Sequence, residues 1–113
     1  NVDMFLGIGG GPEGVLAAAA LDSYNCHFQG RFIFDNTKDI KEARSMGIKD
    51  LNKKYDISEI IKGDSLFCAT GITNSEVLKG IKFDNDKYIS ETLITHKKSN
   101  FKKIIKKTNQ INE

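Results

Sequence analysis

Two apolar periods alternate along the chain. Val2 to Ile8 is largely apolar and ends in glycines, which predicts a buried strand. Pro12 stands where helices favour proline, and Val15 to Leu21 is mostly small, strong helix formers, so Pro12 to Tyr24 is expected to be a helix. Asn25 is its expected stop. His27 to Phe34, with Phe28, Phe32, Ile33 and Phe34, reads as a second strand. Thr37 to Met46 reads as a second helix, with Thr37 as N-cap, Asp39 in the first turn and Gly47 as C-cap. A short helix is expected at Ile57 to Lys62, capped by Asp56 or Ser58 and ended by Gly63. Ser65 to Ala69 reads as a central strand that Thr70 and Gly71 leave, and Ser75 to Lys79 as a helical turn. Lys87 to His96 and Phe101 to Lys107 read as two strands joined by Lys97–Asn100, where Asn100 tolerates a left-handed backbone, although the spacing of Phe101, Ile104 and Ile105 would also suit a short amphipathic helix. Residues 109–113 are expected to fray.

The resulting order, β-α-β-α-α-β and then a terminal hairpin, predicts a layered α/β fold with a partly parallel sheet. The chain has 113 residues, one domain's worth, and no internal repeat. It opens in a strand-like run without methionine, so residues 1–113 are expected to be a piece of something longer.

Composition narrows the function. Hydrophobic residues make up 39% and charged residues 28%, with a single proline, which suits a folded domain rather than a disordered one. Seventeen basic residues against 15 acidic ones leave a net charge of +2, too balanced to argue for nucleic acid. The lysines at 97, 98, 102, 103, 106 and 107 are read as a solvated, edge-protecting face. Cys26 and Cys68 form no CxxC pair, which argues against a disulfide framework and for a reducing, cytoplasmic compartment. Cys68 is expected to be buried. No apolar run approaches the ~20 residues of a membrane helix, so no membrane partner is expected.

The chemistry concentrates at the first turn. Gly9, Gly11 and Gly14 match G-x-G-x-x-G between a predicted strand and a predicted helix, and Asp35 follows about 20 residues on, the spacing of a dinucleotide fingerprint. The intervening Pro12 and Glu13 argue otherwise. Pyrophosphate rests on helix N–H groups; proline removes one, and a carboxylate repels phosphate. A hard divalent cation held by Glu13 beside a phosphate satisfies both residues. A third reading is conformational: Glu13 is a first-turn glutamate favoured by the helix dipole, and the glycines serve only the turn. These residues alone leave the three open.

Further segments decide among them. Gly7 to Leu21, G-I-G-G-G-P-E-G-V-L-A-A-A-A-L, closely resembles the G-x-G-G-[AS]-P-E-G-V-x-A-A-A-x stretch of class II fructose-1,6-bisphosphatases. Gln29-Gly30-Arg31, Ala43-Arg44 with Met46-Gly47-Ile48, Gly63-Asp64 through Thr73, and Leu78-Lys79-Gly80-Ile81 resemble later family segments in the right order. Thr95, Lys98 and Ser99 lie in matching surroundings of the closing hairpin. The resemblance runs from about Val2 to Lys107. It implies the layered fold of the sugar and inositol phosphatases, of which this chain would be the C-terminal half. It also implies Mg²⁺- or Mn²⁺-dependent removal of the 1-phosphate of fructose 1,6-bisphosphate in gluconeogenesis, in some members also action on sedoheptulose 1,7-bisphosphate, and a homo-oligomer. By the P-E-G motif Glu13 is implied as a metal ligand, and Gly10 as a substrate contact through its backbone. The family's other metal carboxylates, and its D-G-T and D-G-D turns, are absent from this sequence. No catalytic residue is therefore expected here, and the chain is expected to be inactive alone. His27 and His96 have no partner at ligand spacing and are expected to have ordinary roles, as is Arg31.

Overall fold

The structure is a computed structural model and describes residues 3–111. Three helices and six strands follow one another: α1 (Gly11–Ser23), β1 (Gln29–Gly30), α2 (Thr37–Ser45), β2 (Tyr55–Asp56), α3 (Ile57–Ile60), β3 (Leu66–Thr70), β4 (Lys82–Asp84), β5 (Lys87–His96) and β6 (Phe101–Gln110). The α/β class is as expected; the sheet differs from the expected one.

The predicted helices form because local signals agree. Tyr24 caps α1, and Asn25 turns left-handed at φ 54° immediately after it. Helix α2 is capped one residue earlier than expected: Asn36 Oδ1 accepts from the Asp39 amide at 2.9 Å. Asn36 is the residue in extended conformation before the helix, and an amide oxygen at that position reaches the third turn amide. Gly47 leaves α2 at φ 90°. Asp56 and Glu59 form a reciprocal capping box on α3, and Gly63 follows at φ 82°.

Every strand pairing is antiparallel. The long β5 carries β3 and then β4 along one edge and β6 along the other. β3, expected to be central, therefore has one neighbour among the described residues. β4 was not foreseen; it closes a hairpin through Asn85, which adopts φ 54°. β6 runs past its expected end: Asn109 and Gln110 pair with Tyr88 and Lys87, and the Ile111 amide reaches the Asp86 carbonyl at 2.8 Å. Of the expected frayed tail, only Asn112 and Glu113 lie outside the described residues. Ser75 to Lys79 is not a helical turn. The Ser75 hydroxyl accepts from the Leu78 amide at 3.0 Å, so the side chain closes the bend in place of a helix bond.

Two expected strands fail. Val2 lies outside the described residues, and 3–10 pair with nothing. Met4, Phe5, Leu6 and Ile8 are 74–89% exposed. An apolar run becomes a strand only where another backbone meets its N–H and C=O groups, and no described segment does so. Of His27 to Phe34 only Gln29 and Gly30 pair, with Asp56 and Tyr55. That partner is two residues long, so the remainder stays extended and Phe32 and Ile33 are half-exposed.

Paired residues share a face, so Phe67, Ala69, Leu93, Thr95 and Lys102 line one side of the sheet. Helix α1 packs there, on β3 and β5, with Ala18 and Thr95 fully buried. Cys68 points to the opposite face and is exposed, contrary to expectation, because β3 alternates and that face has no cover. Only Ala18, Ala43 and Leu78 are buried hydrophobics among the described residues. The radius of gyration is 18.2 Å, against about 13 Å for a closed domain of this length.

Candidate functional site

The glycine-rich turn ends at Gly10, the N-cap of α1, with φ −65° and ψ 153°. Its carbonyl accepts the Gly14 amide at 3.0 Å, the first bond of the helix. Pro12 fills the first turn, where its missing N–H leaves no helix bond unmade. Glu13, the acid of that turn, curls its carboxylate back over the Gly10 backbone. A Cβ on Gly10 would overlap Glu13 Oε2 and meet its Cδ at 3.1 Å. Glycine at 10 is therefore what lets the carboxylate lie against the cap. Around Gly9 and Gly14 the space a side chain would take is open.

The Glu13 carboxylate is exposed and makes no hydrogen bond or ion pair among the described residues. Gly10 and Glu13, the two predicted site residues, are thus brought together, with Glu13 oxygens beside the cap backbone. No group of three or more His, Cys, Asp or Glu side chains converges among the described residues, so Glu13 stands there as a lone carboxylate. Asp35 lies exposed in the loop before α2.

A second polar cluster sits at the opposite end of α1, and the sequence reading missed it. His96, expected to have an ordinary role, bridges two partners. Its Nδ1 lies 2.7 Å from Ser99 Oγ and its Nε2 2.8 Å from Asp64 Oδ2. Next to it Lys97 Nζ donates to Asp22 Oδ1 at 2.6 Å. The Asp22 side chain is 10% exposed and that of Lys97 47%. Asp22, Asp64, Lys97 and Lys98 border a groove of about 480 Å³ with Ile57 and Ile61. The i, i+3 spacing of His96 and Ser99 across a tight turn was a usable signal. The long-range partners Asp22 and Asp64 had none. Away from both clusters, Glu59 accepts from Lys53 at 2.7 Å. That hydrogen bond is the main cause holding the Glu59 carboxyl below, and the Lys53 ammonium above, their ordinary pKa values.

Comparison with known proteins ties this turn to a lineage. The family described as bacterial fructose-1,6-bisphosphatase, glpX-encoded, matches residues 1–109. Similar proteins include one from Trichormus variabilis, named D-fructose 1,6-bisphosphatase class 2/sedoheptulose 1,7-bisphosphatase, 33% identical over 112 residues, covering 88% of this chain and 32% of the relative. Proteins of the same name from a Nostoc strain, 36% identical, and a Synechococcus strain, 34% identical, show the same coverage. The chain spans about a third of the length of the curated relatives it matches. With the match running from the first residue through the P-E-G turn almost to the end of β6, the chain belongs to the glpX-encoded, class II fructose-1,6-bisphosphatase family.

Proposed function

We propose that the intact protein containing this chain hydrolyses the 1-phosphate of fructose 1,6-bisphosphate, with Glu13 as a ligand of an essential Mg²⁺ or Mn²⁺ and the Gly10 backbone against the substrate. One observation carries the reading. Among the described residues the Glu13 carboxylate has no partner, and it folds over a glycine whose side-chain space it fills, at the amide end of α1. A lone carboxylate oxygen suits Mg²⁺ or Mn²⁺, hard cations that combine a few protein carboxylates with water and phosphate oxygens.

The chain's own residues then act as follows. The glycines at 9, 10 and 11 let backbone approach a phosphate closely. Glu13 places a carboxylate at the amide end of α1, beside the glycine backbone, where it can meet a cation. Pro12 fixes the first turn and with it the direction in which Glu13 leaves the backbone. When bound, the cation supplies charge neutralisation of the phosphoryl oxygens and of the leaving alkoxide. With only this ligand, residues 1–113 act as the C-terminal unit of a longer phosphatase chain and are inactive alone. The relatives' names support sedoheptulose 1,7-bisphosphate as a second substrate. A homo-oligomer in the cytoplasm belongs to the same reading, on the family resemblance. No described helix is long and apolar enough to cross a membrane.

The dinucleotide alternative, with Gly9, Gly11, Gly14 and Asp35, needs a strand before the turn, parallel to the strand leading to Asp35. Residues 3–10 form no strand, and β1 pairs antiparallel to β2, so the phosphatase reading is favoured. The test is phosphate release from fructose 1,6-bisphosphate by the intact protein with Mn²⁺ supplied. Release supports the reading. No release, together with saturable NADH binding, replaces it with the alternative.

A further inference from the structure

Among the described residues, helix α1 is anchored at one end and bare at the other. Its buried residues are Ala18, Asp22 and Ser23, all in the C-terminal half. Towards the turn Val15 and Leu16 are about half-exposed, and Glu13 is exposed. The C-terminal end is fastened three times over. Ala18 packs above the sheet face that holds the fully buried Thr95. Lys102 lies over the ring of the cap residue Tyr24, 4.8 Å from its centroid. Lys97 Nζ reaches Asp22 Oδ1 at 2.6 Å. The first two are apolar and cation–π contacts that tolerate sliding. The third is a charge-assisted hydrogen bond to a nearly buried carboxylate, and it has one geometry.

Lys97 is itself well placed to act as a fixed post. It opens the tight turn of the β5–β6 hairpin, which closes with the Asn100 amide bonded to the Lys97 carbonyl at 3.0 Å. The preceding residue, His96, is held between Ser99 and Asp64. The sheet therefore sets the position of Lys97, and Lys97 sets the position of Asp22.

We infer that Lys97, through Asp22, is a positioning residue for Glu13: the ion pair fixes the tilt and rotation of α1 and so the place of the metal-binding carboxylate at its far end. This rests on the reading of Glu13 as a metal ligand. Asp22 follows Glu13 by nine positions, which on a helix is a lever of about 14 Å. A tilt of only about 4° about the anchored end moves the far end by about 1 Å, enough to misplace a ligand.

The test is Mn²⁺ binding to the intact protein, read by the electron paramagnetic resonance of the free ion, well below the melting temperature. Lys97→Met is expected to weaken binding about tenfold, the usual scale for a residue that orients a ligand, while Lys97→Arg, which keeps the donor, stays near wild type. The sign is diagnostic. Deleting a cation by charge alone strengthens Mn²⁺ binding, so weakening reports geometry. Should Lys97→Met fail to fold, Lys97→Gln serves in its place. It deletes the same cation but keeps a shorter neutral donor toward Asp22, and it is expected to weaken binding by a smaller factor in the same direction. Glu13→Gln is titrated alongside. If Glu13→Gln weakens binding and Lys97→Met and Lys97→Gln bind as wild type or more tightly, whatever their melting temperatures, the positioning role is overturned and the ligand role stands. If Glu13→Gln binds as wild type, the ligand reading falls and the inference falls with it.

Discussion

Replacing Gly10 by alanine puts a methyl group into space that the Glu13 carboxylate now occupies. The new Cβ overlaps Glu13 Oε2, whereas ordinary contact begins near 3.4 Å, so the carboxylate must swing away by more than an ångström. The three atoms nearest the new methyl all belong to the Glu13 carboxylate, the far end of a flexible side chain. The backbone accepts alanine without strain, because Gly10 has φ −65°. Alanine is a poorer N-cap than glycine by about 0.5–1 kcal/mol, and the stiffer unfolded chain offsets about as much. Stability of the intact protein is therefore expected to change by less than about 0.5 kcal/mol. A ligand moved by an ångström costs far more in function, of order a hundredfold in catalysis. The assay pairs thermal unfolding with Mn²⁺-dependent phosphate release from fructose 1,6-bisphosphate. The expected result is an unchanged melting temperature with activity down about 10–100-fold. Gly10→Ala at full activity refutes the claim that the Glu13–Gly10 contact matters.

Three more outcomes follow from the described geometry. A Cβ on Gly80 would lie 2.7 Å from the Thr73 carbonyl carbon, 2.8 Å from the Ile72 oxygen and 2.9 Å from the Asn74 nitrogen. Because all three are backbone atoms, Gly80→Ala is expected to destabilise by about 1–3 kcal/mol in chemical denaturation. Asn100 turns the hairpin at φ 52°. Asn100→Ala is expected to cost about 1 kcal/mol in the same assay while Asn100→Gly costs almost nothing. The Glu59 carboxyl is held below its ordinary value by its hydrogen bonds to Lys53 and to the Asp56 amide. A depressed folded pKa means the capping box contributes fully above the ordinary glutamate value and is lost as pH falls through the depressed one. Carbon-detected NMR titration is expected to give Glu59 a midpoint below that of exposed glutamates, and Lys53→Met to raise it.

What was legible in the sequence divides along local and non-local lines. Helices α1, α2 and α3 announce themselves through Pro12, Asp39, Asp56, Gly47 and Gly63, whose effects act within one turn. The turn of the β5–β6 hairpin is equally local, built on a left-handed Asn100, whereas β6 takes its strand form from pairing with β5, because Phe101, Ile104 and Ile105 have a helical spacing. Strands that depend on distant partners were misjudged. Met4 to Ile8 has the composition of a buried strand but lies exposed without a neighbour, and composition cannot supply a neighbouring backbone. Cys68 was placed inside for the same reason: its residue type favours burial, while its side of β3 depends on what covers the sheet. At the candidate site, Gly10 and Glu13 were found from their motif, and their contact follows from a spacing of three on the first turn. The anchors at the other end, Asp22 with Lys97 and Asp64 with His96, join residues 75 and 32 positions apart. No periodicity encodes such pairs.

The central claim is that Glu13 holds the catalytic metal of a fructose bisphosphatase. Its most direct measurement is the steady-state rate of phosphate release from fructose 1,6-bisphosphate by the intact protein and its Glu13→Gln variant, across a range of Mn²⁺ concentrations. Glutamine keeps the size of the side chain and an acceptor oxygen but removes the charge. The account predicts a rate that rises and saturates with Mn²⁺ in the wild type, and a variant at least about a hundredfold slower that added Mn²⁺ only partly restores. A Glu13→Gln variant with the wild-type rate and the wild-type Mn²⁺ dependence contradicts it.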